Sequence, residues 1–332
     1  MRFNRLAAAL CIAAMLAQGG CKSSESTRAD GSKPRKLSSS EKQQQKLTDA
    51  EAAMDSGDYN VALSLFQEIL ATNPTVTTAY LGIGDIYMIR RDYDKAEPAY
   101  SRAAKLEPRN FDAQYGHGLA LQMLERFVDA VKAFHRALTI DPENFKANLA
   151  LATTYLQMNE ARNAITFAEK AVELDPGNGS ARVNLGAAYE KVGRDRDAID
   201  QYLAARELVE DTPPLMLNLI NVLAREKRYQ EAANTAENLV KVSPSANAYE
   251  RLGWCYFRLS DFNKSMAAYK EAVEIDPKHW QSWLNLGIVS LFDKHDVKTA
   301  EEAFAKVQEL NPAFQGLPQI QQELQKIKAG GK

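Results

Sequence analysis

Apolar residues recur along this chain at helical spacing, in blocks that return every 34 residues. Prolines mark the period at Pro74, Pro108, Pro142 and Pro176, and again at Pro244, Pro277 and Pro312. Within one block, Ala96, Tyr100 and Ala103 fall on a single helix face. Aligned on the prolines, the apolar positions form columns. Glycine or alanine stands 24 residues earlier (Ala50, Gly84, Gly118, Ala152, Gly186, Gly253) and alanine twelve earlier (Ala62, Ala96, Ala130, Ala164, Ala232, Ala300). Eight earlier the residue is mostly aromatic (Phe66, Tyr100, Phe134, Tyr269, Phe304). Small residues let two helix backbones approach, and aromatics fill the wider gaps. Proline cannot continue a helix, so it closes each block. Polar or glycine-containing stretches such as Ser56-Gly57-Asp58, Arg91-Asp92, Val192-Gly193-Arg194 and Ser260-Asp261 mark a turn inside the block. The pattern predicts helix, turn, helix, turn, stacked so that each unit buries its apolar face on its neighbours.

The run Arg182-Val183-Asn184-Leu185-Gly186-Ala187-Ala188-Tyr189, followed by Ala198, Tyr202 and Ala205, resembles the tetratricopeptide repeat. So does Trp283-Leu284-Asn285-Leu286-Gly287. The resemblance covers roughly four-fifths of the chain. It implies an all-α fold: a right-handed α-solenoid of about eight repeats at 43–76, 77–110, 111–144, 145–178, 179–212, 213–245, 246–278 and 279–313. The solenoid then occupies 41–314, and 315–332 supplies a C-terminal capping helix and tail, with Pro318 to Ile327 reading as amphipathic. Two departures stand out. Glu210 replaces the expected proline just before Pro213-Pro214, which predicts a slightly longer helix followed by a proline-started one. The last repeat carries one extra residue, expected in its turn around Asp293 to Lys298.

The N-terminus is of another kind. Met1 to Arg5 is basic, Leu6 to Ala17 is apolar, and Gln18-Gly19-Gly20-Cys21 follows. This predicts a signal peptide over 1–20. The small residues before Cys21 resemble the lipobox of bacterial lipoproteins, which implies an acylated Cys21. Gln18 departs from that pattern, and the other reading is ordinary secretion with Cys21 as an unpaired thiol. Residues 21–40 carry almost nothing apolar and read as a flexible tether, with Ser38 and Glu41 spaced as a capping box at its end.

Charge and cysteine use narrow the function classes. The formal net charge is −2, from 41 basic and 43 acidic residues. Loss of residues 1–20 removes two arginines and no acid, leaving −4. That near-neutral balance argues against nucleic acid as partner. After Cys21 no run of eighteen apolar residues occurs, so the only membrane attachment expected is the lipid. Cys255 is the one cysteine beyond Cys21 and reads as a buried small hydrophobe. His117, His135, His279 and His295 form no zinc-type motif, and no phosphate-binding glycine loop is present, so neither a metal nor a cofactor is expected. His117 sits in a packing column, while His135 and His279 fall where helices are exposed or ending. No catalytic constellation emerges, and the expectation is a non-enzymatic protein.

In the tetratricopeptide family the first helix of each repeat lines a concave face, and two sets of residues map to it here. Asn184, Asn218, Asn221, Arg225, Arg251, Trp254, Arg258 and Asn285 form a polar and aromatic set. Its asparagines suit a peptide backbone, its arginines a carboxylate, and Trp254 an aromatic anchor. The plain alternatives are asparagines bonded to neighbouring helices, solvated arginines and a half-packed tryptophan. Leu81, Met88, Tyr115, Leu119 and Met123 form an apolar set. It suits an amphipathic helix, or equally the packing between adjacent first helices. The expected role is an envelope scaffold or adaptor that binds protein partners through an extended peptide or a helix during assembly or export, in pilus, secretin or outer-membrane machinery. The expected location is the outer membrane, facing the periplasm. The alternative is an accessory subunit that positions or regulates a glycan-processing enzyme, or itself binds glycan.

Overall fold

The structure, a computed structural model, describes residues 38–330. The signal segment, Cys21 and all but the last residues of the tether lie outside them. By its internal contacts the chain divides between Gln45 and Lys46. In the first unit, the Ser38 backbone N–H donates to Glu41 at 2.7 Å and the Glu41 N–H donates to the Ser38 hydroxyl at 3.2 Å. This reciprocal capping box starts a helix at Ser39, inside the stretch assigned above to the tether.

From Lys46 onward the described residues are helical throughout, in pairs. The pairs are α1 (Ser39–Asp55) with α2 (Tyr59–Thr72), α3 (Thr77–Ile89) with α4 (Tyr93–Leu106), α5 (Phe111–Met123) with α6 (Phe127–Ile140), and α7 (Phe145–Gln157) with α8 (Ala161–Leu174). Then come α9 (Gly179–Lys191) with α10 (Asp195–Arg206), α11 (Pro213–Arg225) with α12 (Tyr229–Val242), α13 (Ala246–Arg258) with α14 (Phe262–Ile275), and α15 (Trp280–Ile288) with α16 (Val297–Leu310). A last helix, α17 (Leu317–Gly330), lays Leu317 and Leu324 on Phe304 and Val307 of α16.

The glycine and aromatic columns meet inside five of the eight pairs. A methyl group on Gly84, Gly118, Gly186, Gly253 or Gly287 would stand 2.4–2.7 Å from the ring of Tyr100, Phe134, Tyr202, Tyr269 or Phe304 respectively. In these repeats the second helix thus sets its ring against bare backbone of the first. Those rings are buried, at 4, 0, 0, 1 and 2 % exposure. Each contributes about 1.5–3 kcal/mol by leaving water.

The turns inside the pairs share one geometry. Gly57, Arg91, Glu125, Asn159, Gly193, Lys227, Ser260 and His295 all adopt positive φ, between 56 and 82°. In seven of the eight turns the next residue's N–H reaches back five residues to a helix carbonyl, as from Asp92 to Tyr87, Arg194 to Tyr189 and Asp261 to Tyr256, each at 2.9 Å. This is the Schellman pattern, in which a left-handed residue ends the helix. The eighth turn corrects the expectation for the last repeat. Its extra residue is in the helix, where Val289–Asp293 forms a π turn, while the connection through Lys294, His295 and Asp296 keeps three residues. The Asp296 N–H reaches back six residues, to Ser290 at 2.8 Å. The capped turn has one rigid shape, whereas a helix absorbs one surplus residue as a π-bulge.

The fifth repeat also departs from expectation. Its second helix, α10, is shorter than its counterparts, 12 residues against 14 in α8 and α12. Arg206 forks onto Asp211 at 2.6 and 2.7 Å and closes the loop. Val209 folds back onto Gly179, where an added Cβ would stand 2.4 Å from its methyl. These tertiary contacts stop the helix at Arg206. Pro213 and Pro214 then open α11 as expected.

Connections between repeats carry a further signal. Asn110, Asn144 and Asn178, each two residues after its proline, accept the N–H of Ala113, Ala147 and Ala181 at 3.0–3.2 Å and cap the next helix. These loops have four residues (107–110, 141–144, 175–178). The loop between α12 and α13 has three, Ser243-Pro244-Ser245, with Ser245 as the cap.

Candidate functional site

That short loop leads into α13, which lines an opening between first helices. Contacts join α3 to α5, α5 to α7, α7 to α9, α9 to α11 and α13 to α15, while α11 and α13 touch little. Between them lies a cleft of about 310 Å³ lined by Ile220, Asn221, Ala224 and Arg225 of α11 and by Arg251, Trp254 and Arg258 of α13. A second cause adds to the short loop. Ala224 stands three residues before the left-handed turn residue, a column held elsewhere by Met54, Met88, Gln122, Leu156, Glu190 and Phe257. A methyl in place of a long side chain leaves the floor open.

The two walls differ in charge. On α11, Arg225 donates to both carboxylate oxygens of Asp195 at 2.7 and 2.9 Å and to Glu190 at 3.0 Å. Those two acids, Asp195 foremost, hold its guanidinium even more firmly protonated than usual. Glu190 also accepts the Tyr202 phenol at 2.9 Å. On α13, Arg258 lies over the Tyr229 ring at 4.6 Å and the Trp254 ring at 5.5 Å, and it donates to the Tyr229 hydroxyl. Among the described residues it has no ion pair. The nearest carboxylate oxygen to Arg251 is on Glu250, at 3.8 Å, and Glu250 also accepts from Asn285 at 3.1 Å. Arg251 and Arg258 therefore bring positive charge that the surrounding side chains leave largely unmet. Trp254 is half-buried. It packs on the core cluster of α11 and α13 and meets Tyr229 edge-on at 6.0 Å while one face lines the cleft.

Of the polar set anticipated from sequence, the cleft brings together Asn221, Arg225, Arg251, Trp254 and Arg258. It leaves out Asn218 as well as Asn184 and Asn285, whose amides are committed to neighbours. Asn184 donates to Thr153 of α7 at 2.8 Å and Asn285 to Glu250 of α13 at 3.1 Å, while Asn218 lies beside the Tyr202 hydroxyl of α10. Adjacent first helices are close enough for the Asn184 and Asn285 amides to bridge the gap, the plain alternative for that column. Arg225 lines the cleft with its fork already occupied by Asp195. Ile220, Ala224 and Tyr229 were not anticipated. Ala224 was legible as the odd member of its column, and the missing loop residue as the 33-residue interval from Pro244 to Pro277.

The apolar set divides between two packing clusters. Leu81 and Met88 lie against Ala96, Tyr100 and Ala120. Tyr115 and Leu119 lie against Leu121, Phe134 and Leu151, with Tyr115 also stacked on Phe111 at 5.6 Å. Met123 alone of the five is open, at 43 % exposure. The packing reading describes the other four. Among the histidines, His279 caps the start of α15 through its ring nitrogen instead of marking a helix end, and bonds Asn247 at 2.9 Å. His117 pairs with Glu97 at 3.0 Å. Among the described residues no helix is long and apolar enough to cross a membrane.

Paired helices with left-handed turns, stacked at a 34-residue period around a groove between first helices, define a helical-repeat protein of the interaction-scaffold class. Family models for the tetratricopeptide repeat match residues 47–104, 88–145, 145–178 and 246–279, half of the sequence. The chain belongs to the tetratricopeptide repeat family. Among solved structures it is similar to YrrB, described as a TPR protein with an unusual peptide-binding site (21 % identity over 58 % of this chain and 99 % of that one, TM-score 0.53). It is similar to pilF of Pseudomonas aeruginosa (18 % identity, 62 % of this chain and 93 % of that one, TM-score 0.53). A tetratricopeptide repeat protein from Parabacteroides merdae also matches, at 15 % identity over 74 % of this chain and 98 % of that one, with TM-score 0.53. At these identities the likeness is one of fold. No curated protein matches the sequence significantly.

Proposed function

We propose that this protein is a non-enzymatic adaptor of the bacterial cell envelope. In this reading it is held to the membrane by an acylated Cys21 and recruits a protein partner at the α11–α13 cleft during assembly or export. The observation that carries the proposal is the cleft itself, where two under-neutralised arginines flank a tryptophan over an apolar floor. Such a site suits a polypeptide that offers carboxylates and one bulky apolar side chain. A well-packed aromatic with charges around it is the usual anatomy of a binding hot spot. The envelope assignment rests on the basic, apolar and small-residue succession before Cys21.

The test is crosslinking and co-purification of the full-length protein from its own envelope, beside the triple variant Arg251→Ala, Trp254→Ala, Arg258→Ala. The expected result is a stoichiometric partner that the variant loses while its helicity is unchanged. A partner retained in full by the folded variant refutes the site. For the anchor, Cys21→Ala is expected to abolish fatty-acid labelling and release the protein from the membrane fraction. Unchanged fractionation and labelling refute lipidation.

A further inference from the structure

The geometry of the cleft says which kind of polypeptide fits it. This step rests on the site proposed above and deepens it. Arg251, Trp254 and Arg258 are spaced i, i+3 and i+7 along α13, so they share one face of that helix. The α-carbons of the two arginines are separated along the axis by about 10.5 Å, seven residues at 1.5 Å each. Arg258 is not free to wander from this position, because two rings and the Tyr229 hydroxyl hold it.

A ligand lying along α13 that meets each arginine directly above its own α-carbon presents two carboxylates about 10.5 Å apart on one side. An extended strand repeats its side chains on one face at about 6.7 or 13 Å, which brackets that spacing and matches neither. A helix lying along α13 repeats its face at seven residues and matches it in either direction. The residue three or four positions after the first acid then points to the same face, opposite Trp254 and Ala224. Charge points the same way: Arg225 is spent on Asp195 and Glu190, which leaves Arg251 and Arg258 as the two cations to be met.

We infer that the α11–α13 cleft docks an amphipathic helix of a partner protein, bearing two carboxylates seven residues apart and a bulky apolar side chain three or four residues after the first. The apolar side chain enters the space left by Ala224 and the shortened loop. The carboxylates pair with Arg251 and Arg258 at its rim.

The experiment uses the full-length protein and a side-chain-stapled helical peptide of about twenty residues with Glu, Leu and Glu at positions 7, 10 and 14, read by fluorescence anisotropy. Two control peptides are used: one of the same composition with its second Glu moved two positions along, and one with proline at position 11. The intended peptide is expected to bind, with affinity falling as salt rises. Each control is expected to lose about tenfold or more. Ala224→Met, which installs the residue found at Met54 and Met88 in the same column, is expected to abolish binding with helicity and melting midpoint unchanged. Arg251→Glu is expected to lose the peptide and to recover a version with Lys in place of the facing Glu.

Absence of binding by the intended peptide overturns the inference. So does equal binding by the shifted or proline-containing peptide, or Ala224→Met binding like the parent. The envelope co-purification separates the two levels. A partner lost with Arg251, Trp254 and Arg258, together with indifference to peptide register, removes the helical ligand and leaves the site. A partner retained removes the site itself.

Discussion

Arg225 of α11 grips Asp195 of α10 with two parallel hydrogen bonds, at 2.7 and 2.9 Å, across the boundary between the fifth and sixth repeats. The Asp195 side chain is 13 % exposed and that of Arg225 46 %. The carboxylate is therefore the buried partner and the guanidinium its route to solvent. Removing Arg225 leaves Asp195 and Glu190 facing each other with no cation between them. Arg225→Ala is expected to cost about 1–2 kcal/mol, the range for losing a charge-assisted pair discounted for its exposed half. A lower urea midpoint would show it. Equal stability of Arg225→Ala and the parent would mean that solvent already replaces the pair.

Gly186→Ala sets two known effects against each other. Alanine gains up to about 1 kcal/mol over glycine in a helix interior. Its methyl, however, would stand 2.7 Å from the Tyr202 ring, whose hydroxyl is tied to Glu190. Overpacking of this kind costs about 1–3 kcal/mol, so the net change is expected to be a loss measurable by thermal denaturation. Gly193 has nothing within 4 Å of an added methyl, and its left-handed conformation is held by Asn159 in the fourth repeat. Gly193→Asn is therefore expected to be close to neutral.

Burial raises the Cys255 thiol from 9.0 to about 12, and burial with Glu169 nearby raises the Tyr189 phenol to about 12. Unfolding returns both to ordinary values. Below pH 9 both states keep the thiol proton and its contribution is whole. Between pH 9 and about 12 the unfolded chain releases protons that the folded one retains, so stability declines as pH rises. Urea midpoints measured from pH 8 to 11 are expected to fall. In a Cys11→Ser, Cys21→Ser background, Cys255 is expected to resist maleimide at pH 8 until denaturant is added.

Ser290 lies in the π turn with no exposed surface, and its hydroxyl has no hydrogen-bond partner. Ser290→Ala removes an unmet polar atom and favours helix. It is expected to stabilise the protein by about 1 kcal/mol, visible as a raised melting midpoint. A loss of stability would show that the hydroxyl is satisfied in solution.

The sequence alone determined the repeat architecture, because each repeat buries the same columns against its neighbours. Prolines end helices, glycines admit rings, and alanines set the helix spacing, so local pattern and tertiary packing say the same thing at Gly186 and Tyr202 or at Gly287 and Phe304. Five of the eight polar groove residues were legible for the same reason: a repeat converts sequence position directly into a face. Only the tertiary structure decided which of those side chains are spoken for. Whether Arg225 meets Asp195, or Asn184 meets Thr153, depends on distances between helices some 30 residues apart in the chain, to which a single column is blind. The same holds for the irregular places. The stop of α10 at Arg206 is set by Asp211 and Gly179, and the surplus residue of the last repeat went into the helix because the capped turn admits only one shape. The cleft between α11 and α13 arises from one missing loop residue and one missing side chain, and only their coincidence in space turns two small omissions into a site.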